Sequence, residues 1–542
     1  MTPALGGFAV AGDAAPAWDR AMTDVMSALR SAFTTVPERT ASRAQRRTWL
    51  DTFDWRLYRA GLRLEYVAGE LRLAGAASAA SATGATTADG AALTRQHVTG
   101  WRPARPRLAE SLPPGPVRDR IIRLASPRAL LPVATVSSTV TVTRLLNDDG
   151  KTVARLLTTR ASVAGADLPP RLSVAEVRGY PGQARKAARI VALATGVSPA
   201  VGDGFAEILG ALGRHPGDYS NKVDAEITAH MPAGRAAAVV LLRLLDTLEA
   251  NVDGVLADID TEFLHDLRVS VRRTRSALKL LGDVLGDSVP GEPGRRYHDE
   301  FKWLGDLTTP TRDLDVHLLG FGAMAAGLAA ARPADLEPFR AFLARRRARE
   351  RRALARGLRS ARFRVLTEDW RKTLLEARDA GVRRRAERRT AAGLAADRTG
   401  RAFRRVVRQG AAITGSSPDE SLHDLRKRCK ELRYVLEFFA PLHQPAAYGK
   451  VVGDLKRLQD CLGEFQDTHV QIEEIRALAG AMLAEGAVPA ATLLAMGETM
   501  AGLASRQRAA RAEFEQRFAA FAGPGGRRRM SVLLAPAAGD PE

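Results

Sequence analysis

LHDLRVSVRRTRSALKLL, residues 264–281, returns as LHDLRKRCKELRYVLEFF at residues 422–439, without a gap and at an offset of 158. A second block follows each copy: KWLGDLTTPTRDLDV at 302–316 and KRLQDCLGEFQDTHV at 456–470. Two matched blocks in the same order mark the internal duplication of one unit. The surrounding sequence has a period near 3.6 and short breaks such as GDSVPGEPG and TGSSPDES, the pattern of helices joined by tight turns. Residues 223–521 therefore read as helical, in two repeats of about 223–365 and 366–521. Each repeat has room for about four helices, so two pseudo-symmetric four-helix bundles are the expected packing. The end of the chain, 522–542, reads as a disordered tail.

On a helix at 100° per residue, His265, Arg268, Arg272, Arg275 and Lys279 fall in one stripe. Leu264, Leu267, Val271, Leu278 and Leu281 fall beside it, with Thr274 the one weak apolar position. The second copy repeats the design, with His423, Arg426, Lys430 and Arg433 in the stripe. Its apolar sector is Leu422, Leu425, Cys429, Leu432, Leu436 and Phe439. A cationic stripe beside a core stripe holds guanidinium and ammonium groups on a rigid rod. One charge per turn, every ~5–6 Å, suits successive phosphates of an extended chain. A basic stripe of this kind is often only a solvated face, and its duplication argues for more than that.

The bulk composition agrees. The 542 residues carry 81 Lys and Arg against 61 Asp and Glu, a formal charge of +20, so a polyanionic partner is expected. Arg dominates, and its planar fork donates two parallel hydrogen bonds to phosphate oxygens. The two cysteines, Cys429 and Cys461, make neither a disulfide framework nor a zinc site. No secretory signal opens the sequence, and no apolar run approaches the ~20 residues of a membrane span. The expectation is a cytoplasmic chain without cofactor, metal or membrane partner.

Residues 20–200 read as a smaller α+β, antiparallel domain. WLDTFDWRLYRAGLRLEY (49–66) reads as strand, turn, strand. ATVSSTVTVTRLL and TVARLLTTRASV flank NDDGK (147–151), whose Asp-Gly is a hairpin signal. ARKAARIVALATGV (184–197) reads as a short helix, and the Ala/Ser/Thr/Gly stretch 74–93 as a loop.

At these residues the helical half resembles the CHAD family, the conserved-histidine α-helical domain. The motifs carrying the resemblance are LHDLRVSVRRTRSALKLL, TRDLDV, LHDLRKRCKELRYVLEFF and LQDCLGEFQD, over about 223–521. The resemblance implies binding of inorganic polyphosphate on a basic surface, with some members located at polyphosphate granules. Carried over by motif, the binding residues are His265, Arg268, Arg272, Arg273, Lys279, His423, Arg426, Lys427, Lys430 and Arg433. Arg312, Asp313, Asp315 and Asp467 stand beside them as supporting residues: the carboxylates either ligate a bridging metal or, as favoured here, fix nearby arginines. The arginine-rich stretch from Arg340 to Arg408 would widen the cationic surface if it faced the stripes. The N-terminal half resembles a degenerate CYTH domain in LDTFDWRLYRAGLRLEY, SPRALLPVATV and LSVAEVRGY. The acidic ExExK strand that such catalysis needs is missing, while Arg63, Arg128 and Glu176 are candidate survivors.

Three functions are thus in play. The leading one is non-catalytic polyphosphate binding. The second is a CYTH-type triphosphatase whose helical half presents substrate. The third is nucleic-acid binding, weakened by the lack of aromatics interleaved with the basic stripes.

Overall fold

Period-two patterning gives way to helical patterning near residue 220, and the fold follows that change. The computed structural model describes residues 4–10, 15–38, 43–75, 94–199, 204–285, 291–383, 389–486 and 488–535. They divide into two compact units, Met1–Ser220 and Asn221–Glu542. Most of the stretch read as a loop, 76–93, lies outside the described residues.

The first unit is built on one antiparallel sheet. Its strands are β1 (Ala4–Val10), β2 (Thr34–Pro37), β3 (Arg43–Thr52), β4 (Leu62–Val67), β5 (Glu70–Gly75), β6 (Thr94–His97), β7 (Arg107–Leu108), β8 (Ala129–Leu146), β9 (Thr152–Val163), β10 (Ala166–Glu176) and β11 (Val197–Pro199). They pair in the order β11-β1-β10-β9-β8-β3-β4-β5-β6, with β2 and β7 added on β8. The expected hairpin around NDDGK joins β8 to β9. The β9–β10 turn is Ala164-Gly165, at φ 49° and 86°. Both residues sit in the left-handed region that such two-residue turns require.

Five helices pack on this sheet: α1 (Ala15–Arg30), α2 (Arg56–Arg59), α3 (Pro116–Ala125), α4 (Pro181–Leu193) and α5 (Phe205–Gly210). One core joins Val25 and Leu29 of α1 and Ala187 and Val191 of α4 to Leu156, Leu172 and Val174 of the sheet. A second packs Val117, Ile121 and Ala125 of α3 on Leu64, Leu71 and Leu73.

The second unit is helical. Its first group is α6 (Ala233–Ala257), α7 (Thr261–Leu281), α8 (Gly291–Ala326), α9 (Glu337–Leu358) and α10 (Ala361–Arg383). The second group is α11 (Ala391–Ala411), α12 (Asp419–Phe438), α13 (Pro445–Glu485), α14 (Ala490–Ala522) and α15 (Pro524–Leu534). The duplicated blocks are thus α7 with α8, and α12 with α13. Among the described residues the groups number five helices each rather than four. Trp370 of α10 is fully buried against Tyr297 and Phe301 of α8, so the first group runs past the expected boundary at 365. The distal halves of α8 and α13 share one core with α9 and α14, through Leu314, Phe321, Phe339, Ile475 and Met496.

Asp260 caps α7, accepting from the backbone N–H groups of Glu262 and Phe263 at 2.9 and 3.2 Å. The apolar sectors pack as the periodicity predicts. Thr274 is buried with Leu267 and Val271, and Leu422, Leu425, Cys429, Leu432 and Leu436 form the centre of the second core. The tail departs from expectation. Pro524 opens α15, and Met530 and Leu533, three residues apart and 2% and 6% exposed, anchor it to that core. Residues 536–542 lie outside the described residues. Among the described residues, no helix is long and apolar enough to cross a membrane.

Candidate functional site

Because α7, α8, α12 and α13 each bury one stripe, the stripes beside the cores converge on a pocket of about 500 Å3. Its cationic lining is His265, Arg268, Arg272 and Arg275 from α7, Arg312 from α8, and Arg426 and Lys430 from α12. Asp306, Asp313, Asp467 and Glu474 also border it.

Most of these carboxylates already have a side-chain partner. Asp467 accepts from Arg426 at 2.9 Å, Glu474 lies 2.8 Å from His317 Nε2, and Asp306 is 3.6 Å from Lys302 Nζ. Burial, with Glu474 nearby, holds the Asp313 carboxyl above the usual range against the pull of Arg268. The cations are less completely matched. Among the described residues, Arg268 donates through Nη1 to neutral oxygens: Thr309 Oγ1 at 2.6 Å, Thr308 Oγ1 at 3.2 Å and the Gly305 carbonyl at 3.3 Å. Arg272 lies over the Tyr434 ring at 6.0 Å. Desolvation, followed by the neighbouring charges of Arg426 and Arg272, pushes Lys430 down from 10.5 to about 8. An ammonium held this far below its ordinary value stands in a field that an anion would relieve.

The two copies contribute unequally. Arg312 and Gln466 are equivalent in the repeat. In the second copy Gln466 Oε1 lies 2.7 Å from His423 Nδ1, and His423 is not among the residues lining the pocket, whereas His265 is. Gly305 and Gln459 are likewise equivalent. Gly305 leaves pocket volume beside Arg275, while Gln459 accepts from Arg433 at 3.3 Å.

Of the residues the sequence singled out, His265, Arg268, Arg272, Arg275, Arg312, Asp313, Arg426, Lys430 and Asp467 meet in the pocket. The remainder are placed elsewhere. Arg273 donates to Glu437 at 2.7 Å and to the Asn221 carbonyl. Lys279 pairs with Glu431 at 2.5 Å, and Lys427 with Asp424 at 3.0 Å. Arg433 shares Glu437 at 2.7 Å. Asp315, 1% exposed, faces away and bonds Arg347 of α9. No α9 residue lines the pocket, so that arginine-rich helix does not face the stripes. Among the described residues, no group of three or more His, Cys, Asp or Glu converges as a metal site requires. The sequence reading missed Gly305, Thr308, Thr309, Gln471 and Glu474. They carry no cationic signal, and the Thr-Thr pair in LGDLTTPTRD was the one visible hint.

In the first unit, Arg63 of β4 lies over the Phe205 ring at 4.8 Å, and burial lowers its pKa. Arg128, 1% exposed, is 3.7 Å from Asp54. Glu176 ends β10 opposite Ala154 of β9. Asp51 accepts from the backbone of Thr52, Leu57 and Tyr58, organising α2, and burial raises it to about 6.

Comparison with known proteins bears on the helical unit first. The CHAD domain family profile matches residues 239–476. The structure of the CHAD domain from the plant Ricinus communis is 23% identical, covering 58% of this chain and 98% of that one, with a TM-score of 0.47. PptA from Streptomyces chartreusis is 19% identical over 53% of this chain and 99% of its own, with a TM-score of 0.40. A Bacillus halodurans protein assigned as an adenylate cyclase is 15% identical over 35% of this chain and 90% of its own, with a TM-score of 0.22. A sequence search of curated proteins finds no match.

Proposed function

With residues 239–476 matching the CHAD domain family profile, we propose that the chain binds inorganic polyphosphate in the pocket between α7, α8, α12 and α13, without transforming it. The observation that carries this reading is Lys430. It stands desolvated beside Arg426 and Arg272, its pKa pushed down to about 8. A phosphate chain threading the pocket supplies oxygens to Arg272, Arg275 and Lys430 and leaves the existing Arg426–Asp467 and Arg268–threonine bonds in place. Those bonds fix the arginines before the ligand arrives, so less side-chain freedom is lost on binding. Binding inside the cell would bring the chain to polyphosphate granules.

The test is titration of the full chain with long-chain polyphosphate over a range of salt, with duplex DNA as competitor. Expected are an affinity that falls steeply with salt and displacement by DNA only at large excess. Equal competition by DNA would move the assignment to general polyanion binding. Magnesium- or manganese-dependent phosphate release from ATP or tripolyphosphate, within the usual turnover range of enzymes, would overturn the non-catalytic part.

A further inference from the structure

Away from the pocket, α9 carries a second ordered row of charge. Arg345, Arg349, Arg352 and Arg356 on the helix, with Arg359 at its C-terminal cap, are all exposed. Their spacing of four, three, four and three residues puts all five within ~80° of one another on the helix surface. The row runs opposite the side chains of Leu343, Leu354 and Leu358, which are buried. It spans roughly 21 Å at ~1.5 Å per residue.

Several exposed arginines elsewhere in this unit are neutralised on their own helix. Arg401 pairs with Asp397, Arg457 with Asp454, Arg476 with Glu473 and Arg517 with Glu513. On α9 the row has one such contact among the described residues, Arg349 with Glu350 at 3.9 Å. Like charges at these spacings destabilise a helix slightly at every step. A row that repeats the unfavourable spacing four times is shaped for an external counter-charge.

We propose that this face of α9 is a second polyphosphate-docking surface, so that one molecule holds two segments of the polymer and cross-links it. The proposal rests on the reading of the pocket given above. The side chains beside the row include Ala341, Ala348 and Ala353, too small to stack on a base or wedge into a lipid layer. Phe339 and Phe342 of the same helix are 0% and 2% exposed. A bare phosphate chain asks for nothing beyond the guanidinium row.

The experiment compares three full-length chains. One is unaltered, one carries Arg345→Gln, Arg349→Gln, Arg352→Gln and Arg356→Gln, and one carries Arg272→Gln with Lys430→Gln in the pocket. Pentaphosphate titration reads the pocket, and light scattering with long-chain polyphosphate reads cross-linking. The α9 variant should unfold no earlier than the unaltered chain, because the like-charge repulsion it loses outweighs the single 3.9 Å contact of Arg349 with Glu350. It should bind pentaphosphate within twofold and lose the scattering. Its log affinity for long chains should depend less steeply on log salt, by about 3, from four lost contacts at ~0.7 each. Unchanged scattering and salt slope in this variant would overturn the proposal. The pocket variant should lose pentaphosphate binding yet keep a salt-sensitive hold on long chains, and loss of both would also overturn it. Pentaphosphate binding that survives in the pocket variant would instead overturn the pocket, leaving α9 to be judged by its own variant. A preference of the α9 face for duplex DNA or anionic vesicles over polyphosphate would overturn the choice of partner.

Discussion

Arg275 and Arg433 hold the same place in the two copies of the repeat, and only Arg275 borders the pocket. Gln459 accepts from Arg433, where the first copy has Gly305. A Cβ built on Gly305 would stand 3.5 Å from Arg275 Nη1, an ordinary contact. Gly305→Ala should therefore stabilise the helix by about 0.5–1 kcal/mol and leave polyphosphate affinity within twofold. Gly305→Gln should tie Arg275 as Gln459 ties Arg433 and weaken binding about tenfold, roughly 1.4 kcal/mol. Thermal unfolding and titration of both variants read the two effects separately.

Lys430 sets a pH dependence. Its folded pKa of about 8 lies below its ordinary 10.5, so between those values the unfolded chain binds more protons than the folded one. The stability of the unliganded protein should thus rise with pH across that window. Binding behaves oppositely, since a phosphate restores the ammonium and must take up a proton once the free lysine has lost its own. Affinity should fall roughly five- to tenfold between about pH 8 and 9, and Lys430→Arg should flatten that slope. A slope that persists in the arginine variant would remove Lys430 from the ligand.

The two histidines should separate. His265 lines the pocket, so His265→Gln should weaken polyphosphate binding about three- to tenfold. His423 is held by Gln466, so His423→Leu should cost about 1 kcal/mol of stability and leave polyphosphate affinity within twofold. The reverse assignment in binding curves would place the ligand on the other copy.

Asp315 tests support against contact. It is 1% exposed and bonded to Arg347, which also holds Asp258 at 2.7 Å. Asp315→Asn should lower unfolding stability by about 2 kcal/mol, less than for a fully buried pair because Asp258 remains. Polyphosphate affinity should stay within twofold. A large loss of affinity at unchanged stability would put this carboxylate in the binding site.

The periodicity of one helix was enough to find His265, Arg268, Arg272, Arg275, Arg426 and Lys430, because a helix fixes the direction of each side chain from its position. It was not enough for Arg273, Lys279 and Arg433. Arg273 and Lys279 are claimed by Glu437 and Glu431, which the helical wheel of α7 does not contain and whose reach to α7 depends on how α7 and α12 pack, while Arg433 pairs with Glu437 four residues along its own helix. Gly305, Thr308 and Thr309 escaped notice for a different reason: they shape and brace the site without charge. The tail was misread because RRRM looks like solvated sequence, while the burial of Met530 and Leu533 depends on the core they meet. In the sheet, the Asp-Gly hairpin was legible. Ala164, at positive φ, was not, since alanine gives no signal for that conformation.

The pocket draws its walls from segments that begin at His265 and end at Glu474. On a ribosome, α7 and α8 would emerge well before α12 and α13, at about 5–20 residues per second. For roughly ten seconds or more the first copy would display Arg268, Arg272 and Arg275 with no opposite wall. Cargo met in that interval can be touched but not enclosed. Under the binding function proposed above, the capacity to hold a ligand would arrive as a single late event in the life of each molecule.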